Sequence, residues 1–291
     1  YHTINLKIFS FLIYGLGSTG LSVVNYFKKK NFSNFFVWDD NSKLVKKNGF
    51  KNVSNLEIIL NKVDYIVLSP GISLKKSKNR KKLIKFKKKI ITDIDLLYLT
   101  NSEFKSIVVT GTNGKSTTCK IISHLLKKNN YKVKLGGNIG KPVLNLQVKK
   151  DTICVIEASS FQLSHSKFIH PNYALLLNIT NDHLDWHGSM KNYTHSKFKI
   201  FKLQNRNNFA LINSNLKNIF KKNNFSSKLV QVKFSDYKKV KLKIKNNYLK
   251  SNINDEKINF EYSLAKLLKI KNESFIKSMS SFSGLSHRYE V

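Results

Sequence analysis

The stretch VVTGTNGKSTT (residues 108–118) joins a β-branched run, Ile107 to Thr110, to a segment of helical period through the turn Gly111-Thr112-Asn113-Gly114. Glycines let backbone amides point inward around phosphate oxygens, and the helix opened by Lys115-Ser116-Thr117 brings its positive dipole end to the same place. Lys115 adds a point charge, and the hydroxyl of Ser116 or Thr117 suits Mg²⁺. The loop is shorter than the common phosphate loop, since Val109 stands where a glycine is usual. In its strand-loop-helix setting it predicts a triphosphate site at the carboxyl edge of a parallel α/β sheet.

A metal-bound triphosphate needs an acid on a neighbouring strand. DTICVIEASSFQL (151–163) supplies Glu157 at the end of an apolar run, followed by small polar residues. NITNDHLDWHGSM (178–190) puts Asp182, His183, Asp185 and His187 at the end of another. Two histidines four apart suggest zinc, but no Glu follows the first and no third ligand group is evident. The pattern places His183 beside phosphates instead, with Asp182 and Asp185 orienting the loop. Lys197, within YTHSKFKIF (193–201), is one lysine among many, and nothing in its local sequence singles it out.

Another glycine loop, the first in chain order, lies upstream. FLIYGLGSTGLSVVNYF (11–27) contains Gly15, Gly17 and Gly20 in the spacing G-x-G-x-x-G between a strand and a helix, with Asp39 and Asp40 about twenty residues on. Taken alone it reads as a dehydrogenase motif. It reports backbone room and a helix dipole aimed at a pyrophosphate, which a nicotinamide dinucleotide and a UDP-sugar both carry.

Around these loops the chain alternates strands with helices. IFSFLIYG, FFVWDD, VDYIVLSPG (63–71) and KKIITDIDL (88–96) read as strands, and TGLSVVNYFKKK and NLEIILNK as helices. The strand pattern restarts near residue 93. From about residue 205 come short β-like pieces, ALINSN, LVQVKF and VKLKIKNNYLK (240–250), and then FEYSLAKLLKI (260–270) and NESFIKSMSSF (272–282), helical in period. The expected fold class is α/β, a Rossmann-like parallel-sheet domain followed by a P-loop ATPase-type α/β domain.

The net charge of +35 suggests a polyanion partner. It is almost all lysine, spread along the chain and often beside asparagine. Arg80, Arg206 and Arg288 are the only arginines, whereas nucleic-acid surfaces favour clustered guanidinium forks. A solvated lysine coat is expected, with no nucleic-acid partner. No apolar run approaches the roughly 20 residues of a bilayer span, and nothing near Tyr1 resembles a signal peptide, so no membrane insertion is expected. Cys119 and Cys154, far apart, fit a reducing, cytoplasmic compartment.

The ordered set GLGSTGLS, SPGI, GTNGKST, GGNIGKP, EASSFQL, NITNDHLDWHGS with YTHSKFKIF, and GLSHRYEV resembles the ATP-dependent Mur ligases of peptidoglycan synthesis. SSFQL with GLSHR favours the D-glutamate-adding branch. The resemblance implies a UDP-substrate domain (1–93), a central ATP-binding domain (94–284) and, at 285–291, the start of a C-terminal amino-acid-binding domain. The chain starts without Met and stops at GLSHRYEV, so a fragment of a longer protein, inactive alone, is expected.

The resemblance further implies that Ser18, Thr19, Asp39, Ser69 and Gly71 line the uridine and pyrophosphate site, and that Asn138, Ser159 and His183 meet the muramoyl-peptide part. Gly111, Thr112, Asn113, Gly114, Lys115, Ser116 and Thr117 would cradle ATP, with Asn254 and Arg288 also near the nucleotide. Ser116 and Glu157 would hold one Mg²⁺, His183 and a carbamylated Lys197 a second. The catalytic set is then Lys115, Glu157, His183 and Lys197. The implied reaction activates the carboxylate of UDP-N-acetylmuramoyl-L-alanine as an acyl phosphate, which the amine of D-glutamate attacks, in a monomeric enzyme. A sister Mur or folylpolyglutamate-type ligase, or a non-catalytic nucleotide-binding remnant, is the alternative. One segment departs from the family: SNINDEK (251–257) stands where Gly-x-His-Asn-x-x-Asn is usual, with Ile253 at the histidine, Asn254 kept and Lys257 at the second asparagine.

Overall fold

The computed structural model describes residues 5–51, 55–74, 77–101, 103–233, 235, 237–250 and 252–284, with the backbone alone at 250 and 252–257. Continuous apolar runs form most of its strands. Runs such as Phe11–Tyr14 and Thr152–Glu157 are buried along their whole length, which suits parallel strands covered by helices on both faces.

The first sheet holds β1 (Phe11–Tyr14), β2 (Phe35–Trp38), β3 (Tyr65–Leu68) and β4 (Ile90–Ile91), in the order β2-β1-β3-β4, all parallel. The second holds β5 (Lys105–Thr110), β6 (Lys132–Gly137), β7 (Thr152–Glu157), β8 (Tyr173–Leu176), β9 (Phe209–Asn213) and β10 (Lys228–Val232). Its order is β10-β9-β8-β5-β7-β6, again all parallel. In each sheet the strand that precedes a glycine loop, β1 or β5, lies between two later strands. The chain therefore reverses its winding direction there, and a crevice opens at the strands' carboxyl ends.

Local packing explains the first loop. Gly20, in the helix Ser18–Lys29, has no room for a side chain, because a Cβ would sit 1.8 Å from the Gly15 carbonyl oxygen. The helix therefore packs directly on the turn that it follows. The spacing predicted this loop, and the structure has it.

The helix Asp93–Thr100 joins the two sheets. Thr92 and Asp95 form a reciprocal capping box at its start. Asp95 is fully buried and also accepts hydrogen bonds from the Ser166 hydroxyl (2.7 Å) and the Lys167 and Phe168 amides (2.9 and 2.8 Å) of the second unit. One apolar core runs through the junction, from Phe11 and Ile13 past Ile94 and Leu97 to Val108 and Ile156. Asp95→Ala removes the acceptor for these buried donors and is expected to destabilise the chain by about 2–3 kcal/mol or more, read as a lower urea midpoint. An unchanged midpoint would count against this account of the junction.

Two local expectations are corrected. KKIITDIDL gives only the two-residue β4 before the capping box at Thr92 and Asp95 turns the chain into a helix. VKLKIKNNYLK is not β-like: it holds the end of the helix Lys238–Lys241 and then the helix Asn247–Lys250. Its alternation hides a helical spacing, since Val240 and Ile244, four apart, are buried while Leu242 between them is 80% exposed. The buried pair packs with Ile121 and Leu125 of the helix Lys115–Lys128 and with Phe275 and Met279. No helix among the described residues is long and apolar enough to cross a membrane.

Candidate functional site

At the end of β5 the chain enters the loop Gly111–Gly114 and then the helix Lys115–Lys128. Gly114 caps that helix with φ +85°, a left-handed conformation that a side chain would strain. Asn178 clamps the loop from β8's side: its Oδ1 accepts the Asn113 amide at 2.9 Å, and its carbonyl accepts the Thr112 amide at 3.0 Å. The Thr112 hydroxyl donates to the Thr180 carbonyl, accepts from the Thr180 amide, and shares a hydrogen bond of 3.0 Å with the Tyr193 hydroxyl.

Two lysines donate to the loop's carbonyls. Lys115 Nζ donates to the carbonyls of Gly111 (2.9 Å) and Thr112 (2.8 Å). Burial lowers its pKa, while the charges of Glu157 and Asp182 hold it up. Lys197 is 1% exposed, donates to the same Gly111 carbonyl at 2.7 Å and lies 4.6 Å over the Tyr193 ring. Burial first, and then the neighbouring Lys115 charge, push Lys197 down to about 7, against a partial lift from Asp182.

Glu157 ends β7 and is 2% exposed. Its Oε2 accepts the Ser116 hydroxyl at 2.8 Å, and its Oε1 accepts the Asn138 side-chain amide at 3.0 Å. Asn138 in turn faces a cleft of about 460 Å³ that the first glycine loop shares. From the first unit, Gly15, Ser18, Thr19, Asp39, Ser69 and Gly71 line this cleft; from the second, Asn138 and Gln162 do. One carboxylate thus links the start of the helix Lys115–Lys128 to Asn138 in the wall of that cleft.

The cleft walls are fixed by hydrogen bonds. Asp39 accepts the Leu16 amide (2.7 Å) and the Asn41 amide (2.8 Å), which ties the first loop to the end of β2. The Ser69 hydroxyl donates to the Gly15 carbonyl. Asp40 Oδ1 accepts from the Tyr14 hydroxyl, the Trp38 indole and the Asn79 amide. Ser159 caps the helix Ser160–His165 reciprocally with Gln162, whose amide donates to Asp93 at 3.3 Å. Burial raises the Asp93 pKa to about 6.

The sequence-predicted residues therefore gather in two places. Gly111 to Thr117, Glu157 and Lys197 form one, and Ser18, Thr19, Asp39, Ser69, Gly71 and Asn138 line the other. His183 sits at φ +52° with its Nε2 3.3 Å from Asp182 Oδ2, and its ring contacts Phe161 and Tyr193. His187 contacts the same two rings, but its two ring nitrogens lie on the Ser160 and Ser196 hydroxyls. Arg288 and the side chain of Asn254 lie outside the described residues, as does the segment 285–291. Sequence reasoning missed Tyr193, Asn178, Gln162 and Asp93. Asn178 at least stands at the end of an apolar run, whereas Tyr193 is one tyrosine among twelve.

The donor set of the second loop suits Mg²⁺. The Ser116 hydroxyl and the Glu157 carboxylate are hard oxygen donors in mutual contact, and the buried Thr117 hydroxyl has no hydrogen-bond partner. No group of three or more His, Cys, Asp and Glu side chains is gathered for a metal among the described residues. An ion here would complete its shell with nucleotide phosphates and water, as Mg²⁺ ordinarily does.

Comparison with known proteins gives a consistent assignment. Residues 109–283 match the Mur ligase middle domain, and residues 10–91 match the Mur ligase MurD-like N-terminal domain. The UDP-N-acetylmuramoylalanine–D-glutamate ligase of Wolbachia pipientis is 42% identical over 196 residues, 65% of this chain and 38% of that protein. The corresponding ligase of Rickettsia prowazekii is 35% identical over 305 residues, 96% of this chain and 67% of that protein. The chain thus matches only part of each relative's length. Among solved structures, MurF ligase from Thermotoga maritima in complex with ADP matches with TM-score 0.53 and 16% identity, covering 99% of this chain and 69% of that one. The Neisseria UDP-N-acetylmuramate:L-alanyl-gamma-D-glutamyl-meso-diaminopimelate ligase gives 0.55 and 14%, covering 96% and 99%. At that identity both bear on the fold alone.

Proposed function

This chain belongs to the Mur ligase family, and from that premise we propose that it carries the UDP-substrate and ATP sites of a D-glutamate-adding ligase of peptidoglycan synthesis. The observation that carries the reading is Glu157, which holds Ser116 of the ATP loop with one oxygen and Asn138 of the substrate cleft with the other. An amide ligase that activates a carboxylate with ATP must bring two anions together, and a carboxylate placed between their sites can hold the cation that neutralises them. The relatives' names specify D-glutamate as the added amino acid.

In this reading residues 1–93 hold the UDP-N-acetylmuramoyl-L-alanine and residues 94–284 hold ATP. Ser18, Thr19, Asp39, Ser69 and Gly71 take the uridine and pyrophosphate, while Asn138, Ser159 and His183 meet the muramoyl-peptide end. The amides of Gly111 to Thr117 surround the triphosphate, with Asn254 and Arg288 as further nucleotide contacts. Lys115 turns from the Gly111 and Thr112 carbonyls towards phosphate oxygens. Ser116 and Glu157 would hold one Mg²⁺ and His183 with carbamylated Lys197 a second, and the ions would supply charge neutralisation when bound. The γ-phosphoryl group passes from ATP to the substrate carboxylate and leaves ADP, the D-glutamate amine attacks the resulting acyl phosphate, and collapse of the tetrahedral intermediate gives an amide, phosphate and a proton. The reading also has the protein acting as a cytoplasmic monomer.

A binding comparison tests the substrate assignment. By calorimetry the chain is expected to bind UDP-N-acetylmuramoyl-L-alanine more tightly than UDP-N-acetylmuramate, a folate or NADH. Ser69→Ala, which loses the hydrogen bond to Gly15, is expected to weaken that binding about tenfold, near 1.4 kcal/mol. Preference for NADH would restore the dehydrogenase reading of the first loop, and preference for a folate would assign the sister ligase.

A further inference from the structure

We propose that a second cavity, of about 320 Å³ between the two units and lined by no residue of either glycine loop, binds a small oxyanion, a phosphoryl or carboxylate group. Ser73 and Lys87 of the first unit line it, with Ser164, His165, Trp186 and Lys199 of the second. His187 and His195 complete its titratable lining. Among the described lining residues all five titratable side chains are basic, and none is a carboxylate.

Three observations favour an anion. The cavity has room for several waters, or for a phosphate or a short dicarboxylate, at about 30 Å³ per water. Its field is positive: after burial, the charges of Lys199, Lys87 and Lys167 hold His165 down to about 3, so its ring is neutral. Asp95 counters Lys199 and Lys167, but its oxygens are already taken by Ser166, Lys167, Phe168 and Thr92. A cleft lined by one sign of charge concentrates the opposite ion.

The third observation is an unmet donor. The Trp186 indole Nε1 is buried without a hydrogen-bond partner, and so is His165 Nε2 next to it, the two rings being 5.7 Å apart. An indole N–H can only donate, so what it lacks is an acceptor. Buried polar groups rarely stay unpaired, and a small shift of this ring towards a bound oxyanion satisfies it. His187 is not free for that role, because Ser160 and Ser196 occupy its nitrogens. Lys199 spends one proton on the Ser164 carbonyl and has two left, while Lys87 is exposed at the rim.

The test uses the Lys115→Ala chain, so that the ATP loop does not compete for phosphate. Two indole N–H resonances are expected in ¹⁵N-labelled protein, from Trp38 and Trp186, assigned by Trp38→Phe. Inorganic phosphate and, separately, succinate are titrated against sodium chloride at equal ionic strength. The Trp186 signal is expected to move and saturate with at least one of them while Trp38 stays in place. Lys87→Glu and Lys199→Met should each weaken that binding at least tenfold. Tighter phosphate identifies a phosphoryl ligand, and tighter succinate a carboxylate. A Trp186 signal that responds to neither probe, responds equally to chloride, or is indifferent to Lys87→Glu overturns the proposal.

Discussion

Lys115→Ala is expected to weaken MgATP binding at least about 100-fold, near 3 kcal/mol, while leaving the fold unchanged. The ammonium lies within the loop, donating to the Gly111 and Thr112 carbonyls, so it is already poised where the phosphates would lie. Burial lowers its pKa, and the charges of Glu157 and Asp182 oppose that lowering. Charge-assisted contacts to a triphosphate are about twice as strong as neutral ones, and no other lysine of the loop 111–117 replaces this one. Alanine favours the helix that Lys115 opens, so circular dichroism and the melting midpoint should hold. Calorimetry with MgATP reads the effect, and an affinity within threefold of the parent would sink the assignment of this loop.

The second large effect concerns Lys197. At a pKa of about 7 its amine is about nine-tenths neutral at pH 8, where an ordinary lysine is neutral in about one molecule in 300. A neutral amine can attack dissolved CO₂: its nitrogen forms a bond to carbon, one proton leaves to solvent, and a carbamate results. That step turns a buried cation into an anion able to hold metal, and it relieves the repulsion from Lys115. With ¹³C-bicarbonate, a carbamate signal is expected from the parent chain and none from Lys197→Ala.

The pH dependence has a definite sign. Between pH 7 and 10.5 the unfolded chain holds a proton at Lys197 that the fold does not, so this group's contribution to stability rises with pH across that window. Carbamate formation also needs the neutral form, so the signal should fade below pH 7. MgATP affinity of Lys197→Ala should drop at least about tenfold, with partial recovery in Lys197→Glu, which restores an anion. A parent chain without the carbamate signal at pH 8 would remove the metal role of this lysine.

Much of the site was legible because its chemistry is local. GTNGKST and GLGSTG both show closely spaced glycines at a helix start in one dimension, and GTNGKST adds the lysine and hydroxyl that suit a triphosphate. Glu157 was legible through its place at a strand end. VKLKIKNNYLK was not, since an alternating run of three apolar residues also contains a pair four apart, and only the packing against Ile121 and Leu125 chose between them.

The sequence by itself therefore determined two glycine loops, the parallel strands that carry them, and the acid at the end of β7. It could not single out Lys197 among its many lysines, nor attach Tyr193 to the loop, nor make one carboxylate serve both clefts. Those are decided by tertiary structure, because a pKa, a hydrogen bond and a shared crevice depend on which side chains meet after folding. Lys197 differs from the solvated lysines only in being buried beside Lys115 and Gly111, and burial is a property of the packed chain.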